Sequence, residues 1–199
     1  MGTNGNTYCV GISKVDITPP VGTYLAGFAA RKEPSTGIYH PLRATAIAID
    51  DGETPVMVIG ADLLGFYERT GIIRERVGES TGLSPQQIML CGSHTHCGPS
   101  IRELDWDRSG IRDTAYVDTL VEQVASCAEE AWQSREDCRL SFGVGMCDFA
   151  VSRRKPDGKG GVEWKPSPGS PHDHEVPVLA MRSAEGDIRG VLYSYACHP

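Results

Sequence analysis

The chain has 199 residues, of which 40% are hydrophobic and 23% charged, and its formal net charge is -7. That length and apolar content are enough for one large domain with a proper core. The negative balance, with Lys and Arg clustered only at Arg153-Arg154-Lys155, argues against nucleic-acid binding, and no stretch approaches the roughly 20 apolar residues that span a bilayer.

Met1-Gly2-Thr3-Asn4-Gly5-Asn6-Thr7 lacks the charged and apolar regions of a signal peptide, and Thr7 stands one place beyond the hydroxyl position of a myristoylation motif. Seven cysteines is an odd count, and Cys9, Cys91, Cys127, Cys147 and Cys197 lie in apolar segments, as small buried hydrophobes would. There is no C-x-x-C pair to suggest a structural zinc ribbon. These features together predict a reducing, cytoplasmic setting.

Tyr8 to Ile12 alternates as a short strand, and Asp16 to Gly22 forms a rigid Pro-Pro turn. Residues Gly22 to Pro41 are rich in Gly, Pro, Ser and Thr and read as a long loop, of the length that tends to be functional. Arg43 to Asp50 is a strand, turned by Asp51-Gly52 into a buried strand from Pro55 to Asp62. Ile72, Ile73 and Val77 mark a helix from about Tyr67 to Ser80, and Leu83-Ser84-Pro85 introduces a buried strand, Ile88-Met89-Leu90-Cys91. From Thr114 to Ser134, Val117, Leu120, Val121, Val124, Ala128 and Ala131 form one apolar stripe opposite Glu122, Gln123, Glu129 and Glu130, a helix signature. Arg139 to Phe149 is a strand interrupted at Gly143-Val144-Gly145, and Arg153 to His174 is a second long polar loop. Val176 to Arg182 and Ile188 to Ala196 form a closing hairpin. Strands alternating with two helices predict a single α/β domain with a mixed sheet and flanking helices.

The octapeptide Gly92-Ser93-His94-Thr95-His96-Cys97-Gly98-Pro99 carries the strongest chemical signal. Alternate residues share one side only on an extended backbone, so His94 and His96 at a strand's end would emerge together, suited to metal ligation or acid/base work. The competing reading is a hydrogen-bonded pair in a polar loop. His198 follows the alternation of Val191, Tyr193, Tyr195 and Cys197 to another strand end. His172-Asp173-His174-Glu175 has ligand chemistry but sits in a polar loop, where solvation is the usual explanation. Arg153 is suited to a carboxylate, phosphate or developing oxyanion, against a solvated basic turn. Asp62 either orients a histidine or caps the next loop, and Cys97 is either a reactive thiol or a small packed side chain.

Val15-Asp16-Ile17-Thr18-Pro19-Pro20-Val21-Gly22, Gly27-Phe28-Ala29, Leu42-Arg43-Ala44-Thr45-Ala46, Ala61-Asp62, Ser93 to Pro99, Ser152-Arg153-Arg154 and Ala196-Cys197-His198-Pro199 together resemble the N-terminal part of the neutral/alkaline, non-lysosomal ceramidase family. The resemblance implies that residues 1-199 are the N-terminal portion of that catalytic domain, a truncated one. It implies a zinc-dependent amidase that cleaves the N-acyl bond of ceramide-like lipids, with Zn2+ as cofactor and a small-molecule or lipid amide as substrate. His94 and His198 would be zinc ligands, while His96 and Arg153 would face the reacting amide as catalytic residues. The family completes its zinc site with a Glu and a Tyr beyond the matched stretch. Ser93, Cys97 and Ser152 stand where the family pattern has Thr, Ser and Asn. Two alternatives are a different metal-dependent amidohydrolase using His94 and His96 as a ligand pair, and a non-catalytic domain.

Overall fold

Strand β1 (Tyr8–Asp16) and strand β2 (Arg43–Asp50) pair antiparallel along their length, from Cys9 opposite Asp50 to Asp16 opposite Arg43. The computed structural model describes residues 8–102 and 113–198; the expectations for Met1 to Thr7 and for Pro199 lie outside them. β2 continues through the Asp51-Gly52 turn into antiparallel β3 (Val56–Ala61), as the hairpin signal predicts. Helix α1 (Arg69–Thr81) then carries the chain to β4 (Ile88–Gly92), which lies parallel to β3, so this crossover makes the sheet mixed. β4 is a sheet edge, and that corrects the buried-strand expectation: Ile88 is buried, but Met89 is 57% exposed.

Helix α2 (Thr114–Gln133) begins at Asp113, whose carboxylate accepts the Tyr116 N–H, an N-cap that satisfies one of the helix's orphan donors. Its predicted stripe is the buried face, joined by Ala125 and Cys127. That face packs on β1, β2 and α1. Ala44, Ala46 and Ala48 of β2 are fully buried in the same core, and side chains this small let a helix approach the sheet closely. At Gly11 the approach leaves no room for a Cβ, which would stand 1.8 Å from the Ala131 carbonyl oxygen. Tyr116 ties the helix to the first turn by donating to the Ile17 carbonyl at 2.6 Å. Burial, with a smaller contribution from the Asp16 charge, pushes its phenol pKa up.

The chain divides into two compact units between Cys138 and Arg139. β5 (Glu136–Met146) starts in the first, where Glu136, Asp137 and Cys138 pair with β1, three residues ahead of the expected strand start. The second unit contains an antiparallel hairpin of β8 (Glu175–Ser183) and β9 (Ile188–Tyr193). It also holds a two-stranded ribbon, β6 (Arg154–Pro156) with β7 (Val162–Trp164). The ribbon corrects the expectation of a structureless loop from Arg153 to His174. β9 ends at Tyr193, short of the expected Ala196. Among the described residues no helix is long and apolar enough to cross a membrane. All seven cysteines are free; Cys127 and Cys138 are buried, whereas Cys9, Cys97 and Cys197 are exposed, contrary to their reading as packed hydrophobes.

Candidate metal centre and its surroundings

In the first unit, the turn Asp16-Ile17-Thr18 closes the base of the long loop. Ile17 donates to the Leu42 carbonyl at 3.0 Å, the Thr18 hydroxyl accepts the Leu42 N–H at 2.9 Å, and Asp16 pairs with Arg43 at 3.1 Å. Hydrogen bonds from the Thr18 side chain and N–H, helped by Arg43, hold the Asp16 carboxyl below its usual pKa. With both ends clamped, residues 22–41 fold back on the His94–Pro99 turn. Ala26 donates to the Gly98 carbonyl at 2.9 Å, and Leu25 bridges Pro99.

His94 and His96 do come together, but not by strand alternation. β4 has already ended at Gly92, and His94 takes a left-handed backbone with φ of 60°. Main-chain capture by the segment after β3 accounts for this conformation: His94 N–H donates to the Leu63 carbonyl at 3.0 Å, and its Nδ1 lies 2.9 Å from the Leu64 carbonyl. A carbonyl oxygen can only accept, so Nδ1 carries the proton and, in the neutral ring, the lone pair sits on Nε2. A ligating histidine is oriented in this way by its outer partner. The two rings are 5.2 Å apart, edge to face.

His96 rests in a cradle built by the long loop. Gly27 has φ of 100°, and a Cβ there would stand 2.4 Å from His96 Cγ. The Phe28 ring meets His96 edge-on at 4.9 Å, and Arg31 lies over Phe28 while donating to the His96 carbonyl at 2.9 Å. In sequence, these three residues carried no independent sign of this task. The Asp62 carboxylate accepts the Arg43 N–H at 2.9 Å, closing the β2–β3 end as the capping reading expects, and the Leu64 carbonyl orients His94. Cys97 is exposed, which corrects its reading as a small packed side chain.

In the second unit, Val151, Ser152, Arg153, Arg154, Trp164 and His198 line a pocket of about 390 Å³, within the usual range for small-molecule sites. The two expected site residues of this unit, Arg153 and His198, therefore share one concavity. The Arg154 guanidinium lies 4.4 Å from the centre of the Trp164 ring, an interaction that occupies it. Tyr195, three residues before His198, is held to the segment before Val151: its hydroxyl donates to the Cys147 carbonyl at 3.1 Å and accepts the Ala150 N–H at 3.0 Å. Partial burial pushes the Tyr195 phenol pKa up. Trp164 had no motif to single it out as part of this pocket.

No family model matches the chain. Among solved structures, it superposes on a neutral ceramidase from Pseudomonas aeruginosa with a TM-score of 0.74 and 20% identity, over 96% of this chain and 32% of that one. A second structure, of a ceramidase complexed with C2, gives a TM-score of 0.74 and 20% identity, covering 94% of this chain and 30% of that chain. The chain thus has the fold of the corresponding part of neutral ceramidase, an α/β fold with a mixed sheet, and spans about a third of the length of these structures.

Proposed function

We propose that this chain carries part of the active site of a zinc-dependent amide hydrolase acting on ceramide-like N-acyl lipids. The observation that carries the reading is the His94 ring, whose tautomer is set by the Leu64 carbonyl so that Nε2 offers its lone pair. Imidazole nitrogen of this kind is a preferred zinc ligand. His94 and His198 would hold the ion, with further ligands needed to complete a catalytic set of three. Zinc, when bound, supplies Lewis acidity toward an amide carbonyl and acidifies water.

The chain's own residues supply the rest. His96, fixed by Gly27, Phe28 and Arg31, would hydrogen-bond the attacked group or carry its proton. Arg153, on the pocket wall with His198, would stabilise the negative charge that develops on the carbonyl oxygen. The fold likeness to ceramidases supports amide hydrolysis as the chemistry.

A second reading makes His94 and His96 joint ligands, supported by their neighbouring rings, 5.2 Å apart and edge to face. Zinc retention after exhaustive dialysis separates the readings. His94→Ala and His198→Ala should each lose zinc while His96→Ala keeps it. Undiminished zinc in both of the first two variants refutes the ligand assignment, and loss in His96→Ala transfers it to the second reading.

A further inference from the structure

His172 and His174 are not among the residues assigned above; in sequence their cluster has ligand chemistry, but its place in a polar loop favours solvation. The structure pins them. Both rings are half-buried, and their centres are 4.2 Å apart. His172 Nδ1 lies 2.8 Å from the Ser170 carbonyl, and His174 Nδ1 lies 3.1 Å from the Cys147 carbonyl. Each carbonyl can only accept, so both Nδ1 atoms carry protons and both neutral rings hold their lone pairs on Nε2.

The supports are themselves anchored. Cys147 returns a hydrogen bond from its N–H to the His174 carbonyl at 2.9 Å, and its carbonyl also accepts the Tyr195 hydroxyl. Ser170 is tied to Ser167 through main chain and side chain, and Ser167 to the Ser152 carbonyl at 2.7 Å. The ordering cost that a polar loop would ordinarily charge to ligand binding is therefore met before any ligand arrives. Asp173 and Glu175 flank the rings in sequence and add negative charge; one Asp173 oxygen already accepts the Glu175 N–H.

We propose that His172 and His174 form a second transition-metal site, independent of His94 and His198. The rings are neighbours, with centres 4.2 Å apart, and neutral imidazole nitrogens suit divalent transition ions such as zinc, copper(II) and nickel(II). Two protein nitrogens would leave open positions for water or a carboxylate.

The test uses Ni2+ alone on the chelator-stripped chain carrying both His94→Ala and His198→Ala. One equivalent should still bind, and adding either His172→Gln or His174→Gln should abolish it. Absence of that equivalent, or its retention after either glutamine substitution, overturns the proposal. A second readout uses the same chain carrying His94→Ala and His198→Ala: sub-stoichiometric Cu2+ should broaden the ring resonances of both His172 and His174. Broadening of only one, or of neither, also overturns it. Because the nickel measurement excludes His94 and His198 from the outset, its failure leaves the zinc reading untouched.

Discussion

Gly27→Ala tests the claim that the long loop positions His96. The new Cβ would stand 2.4 Å from His96 Cγ and 2.7 Å from its Cβ and Nδ1, whereas carbon atoms in contact sit about 3.5–4.0 Å apart. The ring must retreat by about 1 Å or the loop must lift. A misplacement of about 1 Å costs on the order of 100-fold in rate. Holding alanine at φ of 100° adds about 1–3 kcal/mol of backbone strain, which lowers thermal stability as well. Gly37→Ala is the control, since a Cβ there meets nothing within 4 Å in the same loop. Two measurements are paired: kcat/KM for hydrolysis of an N-acyl amide, and the His96 ring resonances. Gly27→Ala should lose about 100-fold in rate and shift the His96 ring signals, while Gly37→Ala does neither. A Gly27→Ala protein with a lower melting temperature but unmoved His96 signals and an unchanged rate would refute the reasoning.

Arg153→Ala should lower kcat/KM by about 10²–10³, as removal of an oxyanion donor does. Arg154→Ala, whose guanidinium is held over Trp164, should stay within tenfold in the same assay. Tyr116→Phe removes the donor to the Ile17 carbonyl and should cost about 1 kcal/mol in urea unfolding. The raised Tyr116 pKa means that its stabilisation is present below the unfolded value near 10 and is lost as pH rises above it. The phenylalanine variant should therefore show a shallower alkaline decline. Asp16 has the opposite sign: its depressed pKa gives stability present above the unfolded value near 4 and lost as pH falls through the folded one. Acid titration of Asp16→Asn should show a weaker loss over that window.

The elements legible in sequence were those whose periodicity is set by burial on one face. β2 and α2 have an alternation and a stripe that the core enforces, and they stand nearly where the pattern puts them. The failures have physical causes too. Ile88-Met89-Leu90-Cys91 is apolar enough for a buried strand, yet it forms an edge that leaves Met89 exposed; composition does not encode strand order. The β6–β7 ribbon uses three-residue strands, one ending in proline, too short for any alternation to register. His94 and His96 do come together, but the geometric reason the sequence offered, alternation along a strand, does not hold. Their approach arises from a left-handed turn captured by the Leu63 and Leu64 carbonyls, partners about 30 residues away in sequence. Long-range contact likewise explains why Gly27, Phe28 and Arg31 left no independent trace of their role, and why the anchoring of His174 by Cys147, 27 residues away, was not legible.

The central claim is that imidazoles from two distant segments share one zinc ion, and its most direct measurement follows the imidazole nitrogens by NMR during a zinc titration. Before zinc, His94 should be protonated at Nδ1, as its bond to Leu64 requires. On addition of one equivalent, the His94 Nε2 signal and one ring nitrogen of His198 should shift together along a single binding curve. A His198 signal that stays still while His94 moves, or that moves on a separate curve, would contradict the account.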